Sequence, residues 1–287
     1  MSDSLGPVVQ RRRLRTELRR ARQEAGLTQE AVAAEMDWSL SKIIRIETGS
    51  VGISTNDLTA LLRLYHFVDA ARIRELVALA REARQQSWWS KYRGSVPPAF
   101  FQFIEYEAAA SFIREYQPLL IPGLLQTEEY ATAVVRQYRD DFSPKTIKAR
   151  VEIRMMRQQL IEQSRSPLLF FILDEAVVQR LIGDENLRRA QVERLISMAK
   201  RSNVTIEIVP FRAGIHRAMG ENFSILEFRN VADSDVLYFE SARDAIFSHD
   251  DAEEIAVNRE MFEHLRKRSL GPEGSLAYLR KIADDIT

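Results

Sequence analysis

The sequence predicts an all-α N-terminal domain of five helices, followed by a mixed α+β domain with a small sheet and flanking helices. Three observations carry this expectation. Residues 27–49 hold two short segments with apolar residues at helical spacing, separated by a tight turn. Gly94 and the pair Pro97-Pro98 forbid a helix from continuing past that point. Beyond them, apolar and β-branched runs at 167–173, 204–209, 223–228 and 236–240 read as strands. The expected division is therefore a first domain over 1–87, an aromatic and proline-containing junction over 88–98, and a second domain over 99–287.

The first helix is expected over Val8–Ala25, after a polar tail, with Val9, Leu14, Leu18 and Ala21 as its apolar stripe. Thr28 is an N-cap type, and the helix it starts, roughly Gln29–Met36, places Val32, Ala33 and Met36 on one face. Asp37 occupies a turn position that favours left-handed backbone, which aspartate adopts at modest cost. Ser39 caps a second short helix ending before Gly49. Its residues Ile43 and Ile46 point toward Val32, Ala33 and Trp38, leaving Leu40, Ser41, Lys42, Ile44 and Arg45 toward solvent or a groove. Thr55 is expected to cap a helix bearing Leu58, Leu61, Leu62 and Tyr65, and Asp69 to begin another bearing Ile73, Leu76, Val77, Leu79, Ala80 and Ala83.

Residues 22–67 resemble the repressor-type helix-turn-helix domain of phage lambda repressor and the xenobiotic-response-element family. The likeness rests on Leu27-Thr28-Gln29, the small Ala33, and the run Arg45-Ile46-Glu47-Thr48-Gly49, all in register without a gap. It implies binding to a double-stranded DNA operator, with Gln29 and Arg45 on phosphates or base edges and Ser39, Leu40, Ser41 and Lys42 in the major groove. Leu40 and Ile44 depart from the family pattern, which places polar residues there. Leucine can offer only apolar contact, for example to a thymine methyl, and Ile44 is read as packing.

The 287 residues carry 41 basic and 41 acidic side chains, so attraction to DNA has to come from a local patch rather than from the chain as a whole. The first 25 residues supply one: seven arginines against Asp3, Glu17 and Glu24 give a local charge of +4. Arg11, Arg12 and Arg13 are its candidates for phosphate contact, against the plainer reading of a solvated helix face. Cysteine is absent, which excludes disulfides and thiolate metal sites, and four scattered histidines do not predict a zinc site. No apolar run is long enough to span a membrane and the N-terminus has no signal-like segment, so the expected location is the cytoplasm.

At the junction, Trp88, Trp89 and Tyr92 are expected to pack an interface between the domains, with base stacking as the alternative. A helix is expected over Phe100–Ala110; Ser111–Tyr116 fits either a strand or a continuation of that helix. Pro122-Gly123 makes a turn, and Thr127 caps a helix running to Tyr138. Residues 144–163 read as one long amphipathic helix, with Ile147, Val151, Met155, Met156 and Leu160 inward and Lys145, Lys148, Arg150, Arg154 and Arg157 outward. Helical stretches at 174–181 and 185–201 between the first two strand runs predict a strand–helix–strand crossover, and the later strands a meander. Two helices, about 250–268 and 274–286, close the chain.

The ordered runs E-Y-E-A-A, IPGLLQTEEYA, R-x-x-R-Q (Arg154 to Gln158), LDEAVVQRLIG, VPFRAGIH and V-L-Y-F-E resemble the C-terminal domain of WhiJ-like actinobacterial regulators. That resemblance implies an antitoxin-like regulator paired with a small protein encoded beside it, and a partner or ligand input to the second domain. Arg212, His216, Trp88 and Trp89 are the candidate contacts. His216-Arg217-Ala218 departs from the His-x-Gly of relatives. No nucleotide-binding loop, nucleophile elbow or zinc-protease motif is present. His216 reads as a turn histidine and Asp250, Asp251, Glu253 and Glu254 as an ordinary first helical turn, so no catalytic residue, cofactor or metal is assigned. The function expected is a homodimeric, sequence-specific transcriptional regulator, a repressor, controlled by a small partner protein or ligand. The alternative is an enzyme of unrecognised chemistry tethered to a DNA-targeting module.

Overall fold

The computed structural model describes residues 7–47, 51–82, 91–92, 94–138, 141–163, 166–229, 234–240, 245–248 and 251–286. The chain divides into two compact units, 1–90 and 91–287. The first holds five helices: α1 (Pro7–Glu24), α2 (Gln29–Glu35), α3 (Leu40–Glu47), α4 (Thr55–Leu64) and α5 (Ala70–Glu82). α2, α3 and α4, of 7, 8 and 10 residues, are too short to persist alone in water, so burial of the shared apolar stripes sustains them. Leu14 and Leu18 of α1, Val32 of α2, Ile43 and Ile46 of α3, Leu58, Leu61 and Leu62 of α4 and Leu76 of α5 form one closed core.

Local capping agrees with the sequence at most helix starts. Thr28 accepts from the Ala31 amide at 3.2 Å, and Asp69 accepts from the amides of Ala71 and Arg72. The cap of α4 is Ser54, not Thr55: the Ser54 hydroxyl accepts from the Asp57 amide at 2.9 Å, and Thr55 is the first helical residue. Both are capping residue types, and only the backbone decides which of two neighbours is the cap. Arg12 is 7% exposed, so burial removes it from the proposed phosphate patch. Gly49 and Ala83 lie outside the described residues.

The second unit is built on a six-stranded sheet. Its strands are β1 (Phe112–Gln117), β2 (Leu168–Asp174), β3 (Val204–Val209), β4 (Phe223–Glu227), β5 (Val236–Glu240) and β6 (Ala245–Ser248), in the order β3-β2-β1-β4-β5-β6. β1, β2 and β3 are parallel, and β4 turns back antiparallel to β1 with Tyr116 opposite Phe223. The segment 111–116, for which helix and strand were both open, is thus the centre of the sheet. Its charged residues are matched there: Arg114 donates to Glu227 on β4 at 2.7 Å, and Gln117 donates to Glu115 at 2.8 Å. β6 was not foreseen; four residues with polar flanks give too short a periodic signal.

The helices are α6 (Pro98–Ala109), α7 (Glu128–Tyr138), α8 (Pro144–Gln158), α9 (Glu175–Gln179), α10 (Glu185–Ala199), α11 (Ala252–Arg266) and α12 (Gly271–Asp285). The β1-to-β2 and β2-to-β3 crossovers step in the same direction, so right-handed connection puts their helices on one face of the sheet. α11 covers the other face, its Ile255, Phe262 and Leu265 packing on Tyr116, Phe170, Ile172, Phe223, Ile225 and Leu237. β2, covered on both sides, is buried without alternation from Leu169 to Leu173. The edge strand β3 is sealed by the last helix, because the Ser275 hydroxyl accepts from the Ile208 amide at 2.8 Å and Leu270 donates to the Ile208 carbonyl at 2.9 Å.

The long helix expected over 144–163 ends at Gln158 and tightens into a single 3-10 turn, Gln159–Glu162. Arg157, expected on its outer face, is buried. Its guanidinium donates twice to Glu107 of α6, at 2.7 and 2.6 Å, and lies 5.2 Å from the rings of Phe100 and Phe103. The neighbouring Gln158 donates to the carbonyls of Gly123 and Gln126, at 3.0 and 2.7 Å. Gln191, fully buried on α10, accepts from the Thr127 amide and donates to the Leu125 carbonyl. The IPGLLQT run is therefore a loop whose backbone polar groups are satisfied by side chains of the R-x-x-R-Q run and of α10.

Candidate nucleic-acid interface

The turn between α2 and α3 is closed by the Trp38 amide donating to the Ala33 carbonyl at 2.8 Å, with Asp37 in left-handed backbone at φ 53°. Ser39 then turns the chain into α3, its hydroxyl accepting from the Lys42 amide at 3.2 Å. Ile43 and Ile46 are buried, which fixes the rotation of α3 and leaves Leu40, Ser41, Ile44 and Arg45 on its exposed face. Arg45 donates through Nε to the Ser41 carbonyl at 3.3 Å. Lys42 has Nζ 3.4 Å from the centre of the Trp38 ring and 3.4 Å from Asp57 of α4. Of the six residues assigned to DNA, the fold thus brings Leu40, Ser41 and Arg45 to one surface, uses the Ser39 hydroxyl as a cap, and holds Lys42 against α4.

Gln29 sits differently. Its amide donates to Glu47 at 2.8 Å, and Glu47, only 2% exposed, also accepts from Arg22 Nε and Nη2 at 2.7 and 3.0 Å. Arg22 donates further to the Leu27 carbonyl at 2.8 Å, and Arg19 to the Glu47 carbonyl at 3.4 Å. The hydrogen bond to Glu47 holds the Arg22 pKa above its ordinary value. One buried carboxylate therefore ties α1, α2 and α3 together and sets the angle at which α3 is presented. Sequence alone assigns Glu47 no role beyond the family run, although it carries a signal: Glu47 lies four residues after Ile43, on the inward stripe of α3.

In the second unit, Arg212 and His216 belong to one loop, 210–222, but point apart. Arg212 is exposed on the 3-10 turn Phe211–Ala213, whereas His216 is buried. The His216 ring meets Tyr116 edge-on at 5.9 Å, and its Nε2 is 3.9 Å from Asp174 at the end of β2. The loop is pinned by Glu175, which accepts from the Phe211 amide at 2.6 Å, and by Arg268, which donates to the Ile215 carbonyl at 3.0 Å. Phe211, Ile215 and Met219 project outward, 59%, 89% and 52% exposed. Trp88 and Trp89 lie outside the described residues. Among the described residues, no cluster of three metal-ligating side chains occurs and no helix is long and apolar enough to cross a membrane.

Burial lowers the His216 pKa from its ordinary 6.5, with Asp174 opposing. The unfolded chain then takes up a proton near pH 6.5 that the folded chain resists, so stability present above that pH is lost as pH falls. Thermal unfolding of the full chain between pH 7.5 and 5.5 is expected to show this decline, and His216→Gln to flatten it. An identical slope in the variant would remove His216 as the cause.

The first unit is a DNA-binding helix-turn-helix domain by geometry, and the helix-turn-helix domain family matches residues 13–76. Residues 100–281, well over half of the chain, match the domain of unknown function DUF5753, and the chain belongs to that family. Its architecture is that of a helix-turn-helix regulator joined to a DUF5753 domain. No curated protein and no solved structure matches it.

Proposed function

We propose that this chain is a cytoplasmic, homodimeric repressor that reads a double-stranded operator with α3 and is controlled through its DUF5753 domain by a small partner protein or ligand. The observation that carries the DNA-reading part is the outer face of α3, where Leu40, Ser41, Ile44 and Arg45 stand clear of a core already closed by Ile43 and Ile46. A dimer is supported by arithmetic, since one such helix makes few base contacts and twofold proteins read half-sites about one helical turn apart. Control by a non-enzymatic second domain is supported by its separate core and by the apolar loop around Arg212, in which His216 serves as a buried anchor rather than an exposed base. The motif order around IPGLLQTEEYA and VPFRAGIH supports a WhiJ-like, antitoxin-like regulator of actinobacterial type. A partner can act only by binding the DNA-competent and DNA-incompetent arrangements with different affinities.

The test uses the full chain. Arg45→Ala and Lys42→Ala are each expected to weaken operator binding by about 1–3 kcal/mol for a base contact, or evenly over all sequences for a phosphate contact. Operator affinity should also change when the small protein encoded beside the gene is added. If both variants bind as tightly as the parent at fixed salt, α3 is not the reading helix; if the small protein neither binds nor alters affinity, control by that partner is wrong.

A further inference from the structure

Leu40 and Ile44 are 37% and 39% exposed, and among the described residues of the first unit only Val68 is another large apolar side chain so exposed. Four residues apart on α3, they form one ridge about 6 Å long, at 1.5 Å of rise per residue. Neither side chain closes the core, which Ile43 and Ile46 complete. The polar groups around the ridge are partly engaged within the domain: Lys42 by Trp38 and Asp57, Gln29 by Glu47, Arg45 by the Ser41 carbonyl. An apolar ridge is thus the least committed feature of the reading surface.

We infer that Leu40 and Ile44 are specificity-determining residues that read the 5-methyl groups of thymine in the major groove. This rests on the reading that α3 enters that groove. The thymine methyl is the apolar feature that a base pair presents there; every other recognition atom is a donor or an acceptor that leucine and isoleucine cannot satisfy. A ridge of about 6 Å spans roughly two base-pair steps of 3.4 Å, so each half-site carries thymines about two steps apart. Arg45, beside the ridge, supplies charge without the methyl preference.

The experiment selects duplexes from a random pool with the full chain, then resynthesises the best one with deoxyuridine replacing thymidine at each position in turn. Removing one methyl is expected to lower affinity roughly fourfold at two positions per half-site, the loss that corresponds to one buried methylene-sized group. Leu40→Ala and Ile44→Ala should each erase the difference at one of these positions. Arg45→Ala should weaken both duplexes and leave the difference intact. Both apolar positions are on the surface, and unchanged thermal unfolding of the variants confirms that the fold is kept. If uracil duplexes bind as tightly as thymine duplexes at every position, the inference is overturned while DNA reading by α3 stands. If selection yields no duplex preferred over random DNA, the reading fails, and the inference with it.

Discussion

Glu47→Ala is expected to unfold the N-terminal unit under conditions where the parent is stable. The carboxylate is buried and answers three donors, two from Arg22 and one from Gln29. Its removal leaves the Arg22 side chain, 11% exposed, with the Leu27 carbonyl and only the weaker attraction of Glu30. Breaking a buried pair on one side costs about 3–5 kcal/mol, a large share of the roughly 5–15 kcal/mol that holds a domain together. Glu47→Gln keeps the shape but turns an amide donor toward a guanidinium, and should also be costly. Replacing Arg22 and Glu47 together by Met and Leu should recover most of the loss, because no charge is then stranded. Urea unfolding followed by tryptophan fluorescence, all three tryptophans lying within the first 90 residues, measures this, and a single variant with the parent's midpoint would show that the carboxylate is dispensable. DNA affinity should fall with stability, since α3 loses its tie to α1 and α2.

Arg157→Leu is expected to have a comparable effect on the other unit. Glu107, with a side chain only 2% exposed, would be left charged or forced to take up a proton. The expected loss is again about 3–5 kcal/mol, and Arg157→Lys should rescue little, because a single ammonium cannot match two parallel hydrogen bonds and the flanking Phe100 and Phe103 rings. As the two units have separate cores, the lesion should lower one thermal transition and leave the other in place. A shift of both together would mean that the units unfold as one.

The features legible in the sequence were those written locally. The cap at Thr28, the left-handed Asp37 and the inward Ile43 and Ile46 depend on neighbours within a turn or two, and so do the strand runs from Leu168 to Glu240. The parallel pair β2–β3 followed from the helix length between them. The features not legible depend on partners far along the chain. The segment Phe112–Gln117 could not be told from helix because Arg114 finds Glu227 across 113 residues and Glu263 across 149. Arg157 read as solvent-facing because Glu107 is 50 residues away, and Glu47 as unremarkable because Arg22 is 25 away. A charged residue on an apolar stripe, as at Glu47, is the local trace that such a distant partner leaves.

The seal on β3 has a consequence for synthesis. Ile208 and the Ser275 hydroxyl that occupies its amide are 67 residues apart. At roughly 5–20 residues per second, the ribosome makes the strand about 3–13 s before the helix that covers it. Through that interval the nascent sheet carries a bare edge, able to pair with a neighbouring chain on the same message. The final helix thus ends the period in which two growing copies can join through their backbones, and any slowing of translation between residues 208 and 275 lengthens that period.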